Sequence, residues 1–215
     1  MGKLNNLKQV FALELHRFGM FKDKSESPEG AGFRLRLHET EPNAPLSPYY
    51  LDLRALRSWP IKATAVCLFI EMMHGLNCDV IADVPTAITP VVSSLSDRVS
   101  IPMITPRLSP KNHGEGSNID GHWPKGATSF LFDDVITKGY SSLGAVRVLR
   151  DNGIFVGHVF VLVDREQGGR ERLKAEDLEV HSAFTVTELL KFYRDRGKIS
   201  SSHYGEILAY RAAQV

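Results

Sequence analysis

Apolar residues recur along this chain with changing periods, and the changes divide it into elements. Leu4, Leu7, Val10, Phe11, Leu15 and Phe18 fall at roughly helical spacing over residues 4–18, and Gly19 offers a stop. The pattern predicts an amphipathic helix that packs on the core or on a second subunit. Polar residues then dominate, and Lys22, Lys24, Ser25, Pro28 and Gly30 predict an exposed connection from Gly19 to Gly32. Phe33, Leu35 and Leu37 alternate with Arg34, Arg36 and His38, the period of a strand with one wet face. Pro42, Asn43 and Pro45 break it, and SPYYLDLR at 47–54 predicts a second strand, so the two are expected to form a hairpin.

Beyond the hairpin the pattern alternates between strand and helix. Pro60 opens a helix through Val66, Phe69, Ile70 and Met73 to Gly75. Val80, Ile81 and Ala82 predict a strand, Val91, Val92 and Leu95 a helix, and Ile101 to Ile104 another strand. Thr105 to Gly126 has almost no apolar residue and reads as a long functional or mobile loop. Phe130 to Phe132 form a strand, a helix follows from near Leu143 to Gly153, and Ile154 to Val163 is a long, mostly β-branched strand. Helical stretches at about 185–195 and 203–213 finish the chain. This order predicts an α/β fold with a mainly parallel central sheet flanked by helices. One domain is expected over residues 1–215, with a helix and hairpin hood over about 1–58 and a mobile loop over about 105–126.

Composition narrows the function classes. With 43% hydrophobic and 24% charged residues and a formal net charge of +1, nothing global points to nucleic acid or an anionic membrane as a partner. Cys67 and Cys78 have no metal-ligand or CxxC spacing and read as reduced thiols in or near the core. No apolar run suggests a leader or a membrane span, and a cytoplasmic protein is expected. His16, His38, His74, His122, His158, His181 and His203 fall at no ligand spacing and read as structural or surface residues.

The chemistry concentrates in FLFDDVITKGYSS, residues 130–142. Asp133 and Asp134 follow the apolar run, at the carboxyl end of a strand, where open α/β sheets bind ligands. Gly139 permits a tight turn, and Ser141 or Ser142 can cap the helix behind it. Hydroxyls and free N–H groups at a helix start suit a phosphate, whereas carboxylates suit sugar hydroxyls or a cation. A phosphorylated sugar with a cation nearby satisfies both. A DD pair before a turn is more often a solvated corner, but the order of apolar run, DD, Thr, Gly and Ser is a sharper signal.

Two further stretches belong beside it. PRLSPKNHGEGSNIDG at 106–121 gathers Arg107, Lys111 and His113 with Gly114 and Gly116, a loop able to fold over a polyanion and exclude water. In VLVDREQGGRERL at 161–173 a buried strand ends in Asp164-Arg165 and Gly168-Gly169. Arg165 either clamps a planar carboxylated base or makes a surface salt bridge with Asp164 or Glu166.

The central stretch resembles the phosphoribosyl-pyrophosphate (PRPP) motif of type I phosphoribosyltransferases. Together with SPYYLDLR, ADVPTAITP, PRLSPKNHGEG and VLVDREQGG, it is similar to the corresponding segments of the orotate phosphoribosyltransferases, and VHSAFTVTELLKFYRDRGKI looks like the tail of their eukaryotic-type members. The resemblance implies Mg²⁺-dependent transfer of ribose 5-phosphate from PRPP to orotate, in a homodimer with shared active sites. It implies that Asp133 and Asp134 bind the ribose hydroxyls and that the PRPP site runs through Val135, Ile136, Thr137, Lys138, Gly139, Tyr140 and Ser141. Thr137 and Arg165 would recognise orotate, and Arg107, Lys111 and His113 would close over the pyrophosphate. Mg²⁺ would be held mainly by PRPP, with no protein ligand assigned. Alternatives are another acceptor base, or a PRPP-sensing regulator without turnover.

The chain departs from the family in three places. Leu108 stands where the lid has a second cation. The turn from Asp83 to Pro90 carries Ala87 and Ile88 where bacterial members often have Lys-Gly or two glycines. The Lys-Ser-Gly turn before Ser47-Pro48 is missing, so the hood's cation is either Lys24, with residues 26–46 inserted, or Arg36, which the alternation around it favours. Tyr50 is a further candidate for the site.

Overall fold

The computed structural model describes residues 2–39, 41–108 and 118–213. Its helices are α1 (Gly2–Arg17), α2 (Ile61–Met72), α3 (Thr89–Val99), α4 (Tyr140–Asp151), α5 (Gly169–Lys174), α6 (Val186–Asp195) and α7 (Ser201–Ala212). The strands are β1 (Phe21–Asp23), β2 (Tyr49–Leu51), β3 (Val80–Asp83), β4 (Met103–Pro106), β5 (Ile119–Asp120), β6 (Thr128–Ile136), β7 (Phe155–Asp164) and β8 (Glu179–Thr185). β1 and β2 form a separate antiparallel pair, and the rest make one sheet in the order β5-β4-β3-β6-β7-β8. All neighbours in that sheet are parallel except β4 and β5.

Both faces of the sheet are covered, which is why its central strands read as continuous apolar runs. Phe130, Phe132, Phe160 and Leu162 pack with residues of α1, α2, α3 and α6 in one core cluster. Leu131, Val159 and Val161 pack with Leu143, Val146 and Leu149 of α4 in the other. Phe132 lies edge-on to Phe69 at 4.9 Å and stacks on Phe160 at 5.1 Å. From β3 the chain moves outward to β4, then returns to place β6 on the other side of β3. That reversal opens a crevice at the carboxyl ends of β3 and β6, the usual ligand position in such a sheet. Among the described residues, no helix is long and apolar enough to cross a membrane.

Several expectations are corrected. The hairpin's first strand is β1, not Phe33–Leu37: Phe21 pairs with Leu51 and Asp23 with Tyr49. Phe21 is buried against Tyr193 at 4.6 Å and Tyr49 at 6.4 Å, so a segment that reads as an exposed connection is anchored by its one aromatic side chain. Phe33 retains a single bridge to Ser47, and Arg36–Glu39 form a 3₁₀ turn. The buried His38 fixes that turn, its Nδ1 accepting from Leu35 N–H at 2.9 Å and its Nε2 lying 3.1 Å from the Ala44 carbonyl. The long loop contains β5, and α5 and β8 add two elements that periodicity does not reveal.

Candidate active site

β6 runs on past Phe132, because β7 pairs with it as far as Ile136 and Asp164 while β3 stops opposite Phe132. Asp133 and Asp134 therefore lie within a strand that projects beyond its neighbour, not after its end. Asp134 N–H, facing no strand there, donates to Asp133 Oδ1 at 2.8 Å. Asp133 Oδ2 accepts from Ser142 Oγ at 2.9 Å. Burial, then the neighbouring Asp134 charge, raises Asp133 well above the ordinary carboxylate range. Asp134 is half-buried and is also raised by burial, opposed by its hydrogen bonds and by the Arg54 charge. The pair is thus asymmetric: Asp133 is committed to the framework and Asp134 is the more open carboxylate.

Gly139, at φ 76°, caps α4 with no side-chain cap, so neither Ser141 nor Ser142 plays that expected part. Ser142 is buried on Asp133 instead, whereas Lys138, Tyr140 and Ser141 are exposed around the turn. The first N–H groups of a helix have no intrahelical partner, and on α4 they open toward this turn. Val135 and Ile136 pack into the two cores, so they can shape the turn but can offer a ligand only their backbone. Thr137 is half-buried.

The turn is braced from α5. A Cβ on Gly169 would stand 2.4 Å from the Thr137 carbonyl oxygen and 2.6 Å from Ile136 Cγ1. Only a glycine allows this approach, which explains the second glycine of Gly168-Gly169. Arg172 Nη1 donates to the Lys138 carbonyl at 2.6 Å, with its guanidinium 4.1 Å from the Tyr140 ring centroid.

Arg165 follows β7 and is buried, with Nε donating to the Tyr49 hydroxyl at 2.8 Å and its guanidinium 4.7 Å from that ring's centroid. The salt-bridge reading fails. Asp164 accepts from Arg170 Nε at 3.0 Å, and Glu166 is paired with Arg211 of α7 at 2.8 Å. Burial pushes Glu166 up, but bonds from Thr187 and Arg211 outweigh it and leave the carboxyl below its ordinary range. Arg165 Nη2 is buried without a protein partner, as is the Tyr210 hydroxyl of α7. Tyr49 was not foreseen as a site residue; its neighbour Tyr50 packs 5.6 Å from Phe33 instead.

The remaining candidates are spread around this centre. Arg107 N–H bonds the Asn118 carbonyl at 2.7 Å, closing the base of the long loop, and its side chain meets the Asp120 carboxylate. Lys111 and His113 lie outside the described residues, as does the Arg36 side chain. Lys24 directly follows β1, whereas Arg36 begins a 3₁₀ turn and not the strand whose alternation favoured it. Lys24 Nζ pairs with Glu206 of α7 at 2.6 Å. Asp83, not anticipated, is fully buried at the end of β3 and accepts from Thr105 Oγ1 at 2.5 Å and from Thr89 Oγ1, fixing the turn that follows.

No family model matches the chain. The chain is 33% identical over 148 residues to the orotate phosphoribosyltransferase of Pyrococcus horikoshii, covering 67% of this chain and 80% of that protein. It is 33% identical over 158 residues to the Bos taurus uridine 5'-monophosphate synthase, covering 72% of this chain but 33% of that longer protein. The crystal structure of the Aeropyrum pernix orotate phosphoribosyltransferase superposes with a TM-score of 0.68 at 27% identity, covering 87% of this chain and 99% of that one. The chain belongs to the orotate phosphoribosyltransferase family. As a member, it carries Ile88 in its Asp83–Pro90 turn with the side chain fully buried in the core, while Ala87 beside it is half-buried. Leu108, its lid departure, is 46% exposed and lies near Gly144 of α4, where an added Cβ would be 3.2 Å from Leu108 Cδ2.

Proposed function

We propose that the chain transfers ribose 5-phosphate from PRPP to a ring nitrogen of orotate, giving orotidine 5'-monophosphate and pyrophosphate in pyrimidine nucleotide synthesis. The observation that carries this reading is Arg165: a buried guanidinium, oriented by Tyr49, with an unpartnered donor beside the PRPP turn. A planar carboxylated base satisfies that donor through charge-assisted bonds, whereas a base without a suitable acceptor leaves it buried and unpaired.

In this assignment the turn from Thr137 to Ser141 holds the 5'-phosphate and Asp134 accepts from a ribose hydroxyl. Asp133 orients the turn through Ser142. The bond from C1 to the pyrophosphate oxygen breaks, pyrophosphate departs with the electron pair, the ring nitrogen bonds C1, and the proton which that nitrogen gives up passes to pyrophosphate or solvent. Before that bond breaks, Arg107 exchanges Asp120 for the pyrophosphate group, and Lys111 and His113 close the loop over it and keep water from the cationic sugar. A hard divalent cation fits the oxygen donors here, with half-exposed Asp134 the carboxylate that the chain offers and PRPP supplying the rest. When bound, Mg²⁺ neutralises the pyrophosphate charge. Val10 and Leu13, 40% and 42% exposed on α1, support a homodimer.

Arg165→Ala tests the base assignment. Two charge-assisted hydrogen bonds at about 1.5–3 kcal/mol each predict a fall of about 10²–10⁴ in kcat/KM for orotate. PRPP affinity, measured by calorimetry, should change only a few-fold, and equal losses for both substrates would remove Arg165 from base recognition.

A further inference from the structure

Away from the crevice, β7 and β8 bring together three side chains of metal-binding type that no sequence spacing reveals. In their parallel register His158 stands opposite Glu179 and Phe160 opposite His181. The two-residue strand period therefore puts both histidines and the glutamate on one face. His158 Nδ1 and His181 Nε2 face each other at 3.0 Å. Glu179 carboxylate oxygens lie 3.5 Å from His158 Nδ1 and 3.8 Å from His181 Nε2.

These distances are close to those a small cation imposes. Two nitrogen ligands at about 2.0–2.1 Å from a tetrahedral ion stand about 3.3–3.4 Å apart. The rings are already held: Phe160 stacks on His181 with centroids 4.6 Å apart, and Phe130 meets His158 edge-on at 5.4 Å. The Glu179 side chain, 67% exposed, has the freedom to close the last few tenths of an ångström. Two imidazoles and a carboxylate are a donor set for zinc and its neighbours, not for the hard cation of the PRPP site.

We propose that His158, Glu179 and His181 bind one divalent transition-metal cation of the zinc class, with water at the fourth position. The site is separate from the reaction centre, since His158 precedes Asp164 by six residues on β7, about 20 Å along the strand. A cation there links β7 to the edge strand β8 and so stabilises the folded chain. β8 ends at Thr185, which caps α6, and Thr187 in the first turn of α6 donates to Glu166. The alternative for the same three groups is a plain hydrogen bond between the two imidazoles with no affinity for a metal.

The test is titration of Zn²⁺ into the untagged, chelator-stripped chain by calorimetry, with Co²⁺ as a spectroscopic probe and thermal melting alongside. The expected result is one equivalent bound, visible Co²⁺ d–d bands and a higher Tm. Glu179→Gln, at an exposed position that leaves the fold intact, should weaken Zn²⁺ at least about tenfold and cancel the Tm rise, and His158→Gln should abolish both. Absence of a stoichiometric site in the unmodified chain, or uptake that both variants leave unchanged, would overturn the proposal.

Discussion

Gly169→Ala is the most informative single change, because its effect can be worked out from contacts that do not involve substrate. The added Cβ would lie 2.4 Å from the Thr137 carbonyl oxygen and 2.6 Å from Ile136 Cγ1. A carbon–oxygen contact normally opens to about 3.3 Å, so about 1 Å must be found. Ile136 cannot yield easily: its side chain is buried and its carbonyl accepts Arg165 N–H at 2.9 Å. Either α5 lifts or the turn from Thr137 to Ser141 is displaced. Overpacking of this kind costs about 1–3 kcal/mol, and at about 2–4 °C per kcal/mol for a chain of this size the Tm should fall by about 2–12 °C. A displacement of about 1 Å in a positioning element costs about 10²-fold in rate, so kcat/KM for PRPP should drop by that order. Gly205→Ala in α7, where nothing lies within 4 Å of the added Cβ, is the matched control and should stabilise by about 0.5–1 kcal/mol. Circular-dichroism melts and steady-state pyrophosphate release with PRPP varied give both quantities. A Gly169→Ala enzyme with unchanged Tm and kcat/KM would refute the bracing of the turn by α5.

Two other changes probe the carboxylate pair and the lid. Burial raises Asp133 above its unfolded value, so the folded chain binds the extra proton and stability falls as pH rises from about 3.9 through the raised native value. Asp133→Asn keeps the bond from Asp134 N–H and donates to Ser142 Oγ in place of accepting from it, so it should raise Tm at neutral pH while lowering turnover, with the Tm gap closing as pH falls toward about 4; a gap that widens on acidification would contradict this. Leu108→Lys restores a lid cation beside Arg107 and should raise kcat in steady-state assays, toward the roughly 10²-fold that one such donor supplies. No gain would mean that another cation already serves.

What was legible in the sequence follows from how locally each element is specified. β3, β6 and β7 are buried on both faces, so their apolar runs announce them, and the DD-to-Ser turn carries its chemistry within ten residues. β1 has three residues and one buried aromatic, and its stability comes from Tyr49 and Tyr193, far away in the chain. The alternation at Phe33–Leu37 imitates a better strand than the real one, and only the burial of His38 shows why it curls instead. α5 is six residues long, too short for a helical period to register. The site divides the same way. Asp133, Gly139 and Arg165 stand out by motif, whereas Tyr49 on Arg165, Gly169 against Thr137 and Glu206 on Lys24 are contacts between distant segments. The slip between Asp133 and the helix cap is of a subtler kind: Ser142 is correctly placed beside the turn, but its hydroxyl serves the carboxylate.

The most direct test of the central claim is pyrophosphate release from PRPP and Mg²⁺ with orotate, run beside uracil, adenine, guanine, hypoxanthine and nicotinate. Turnover with orotate and none of the others is the predicted result: the unpaired donor of Arg165 asks for a carboxylate, which sets orotate apart from the uncarboxylated bases. Turnover with a different base, or PRPP binding with no turnover on any of them, would contradict the assignment of this chain as an orotate phosphoribosyltransferase.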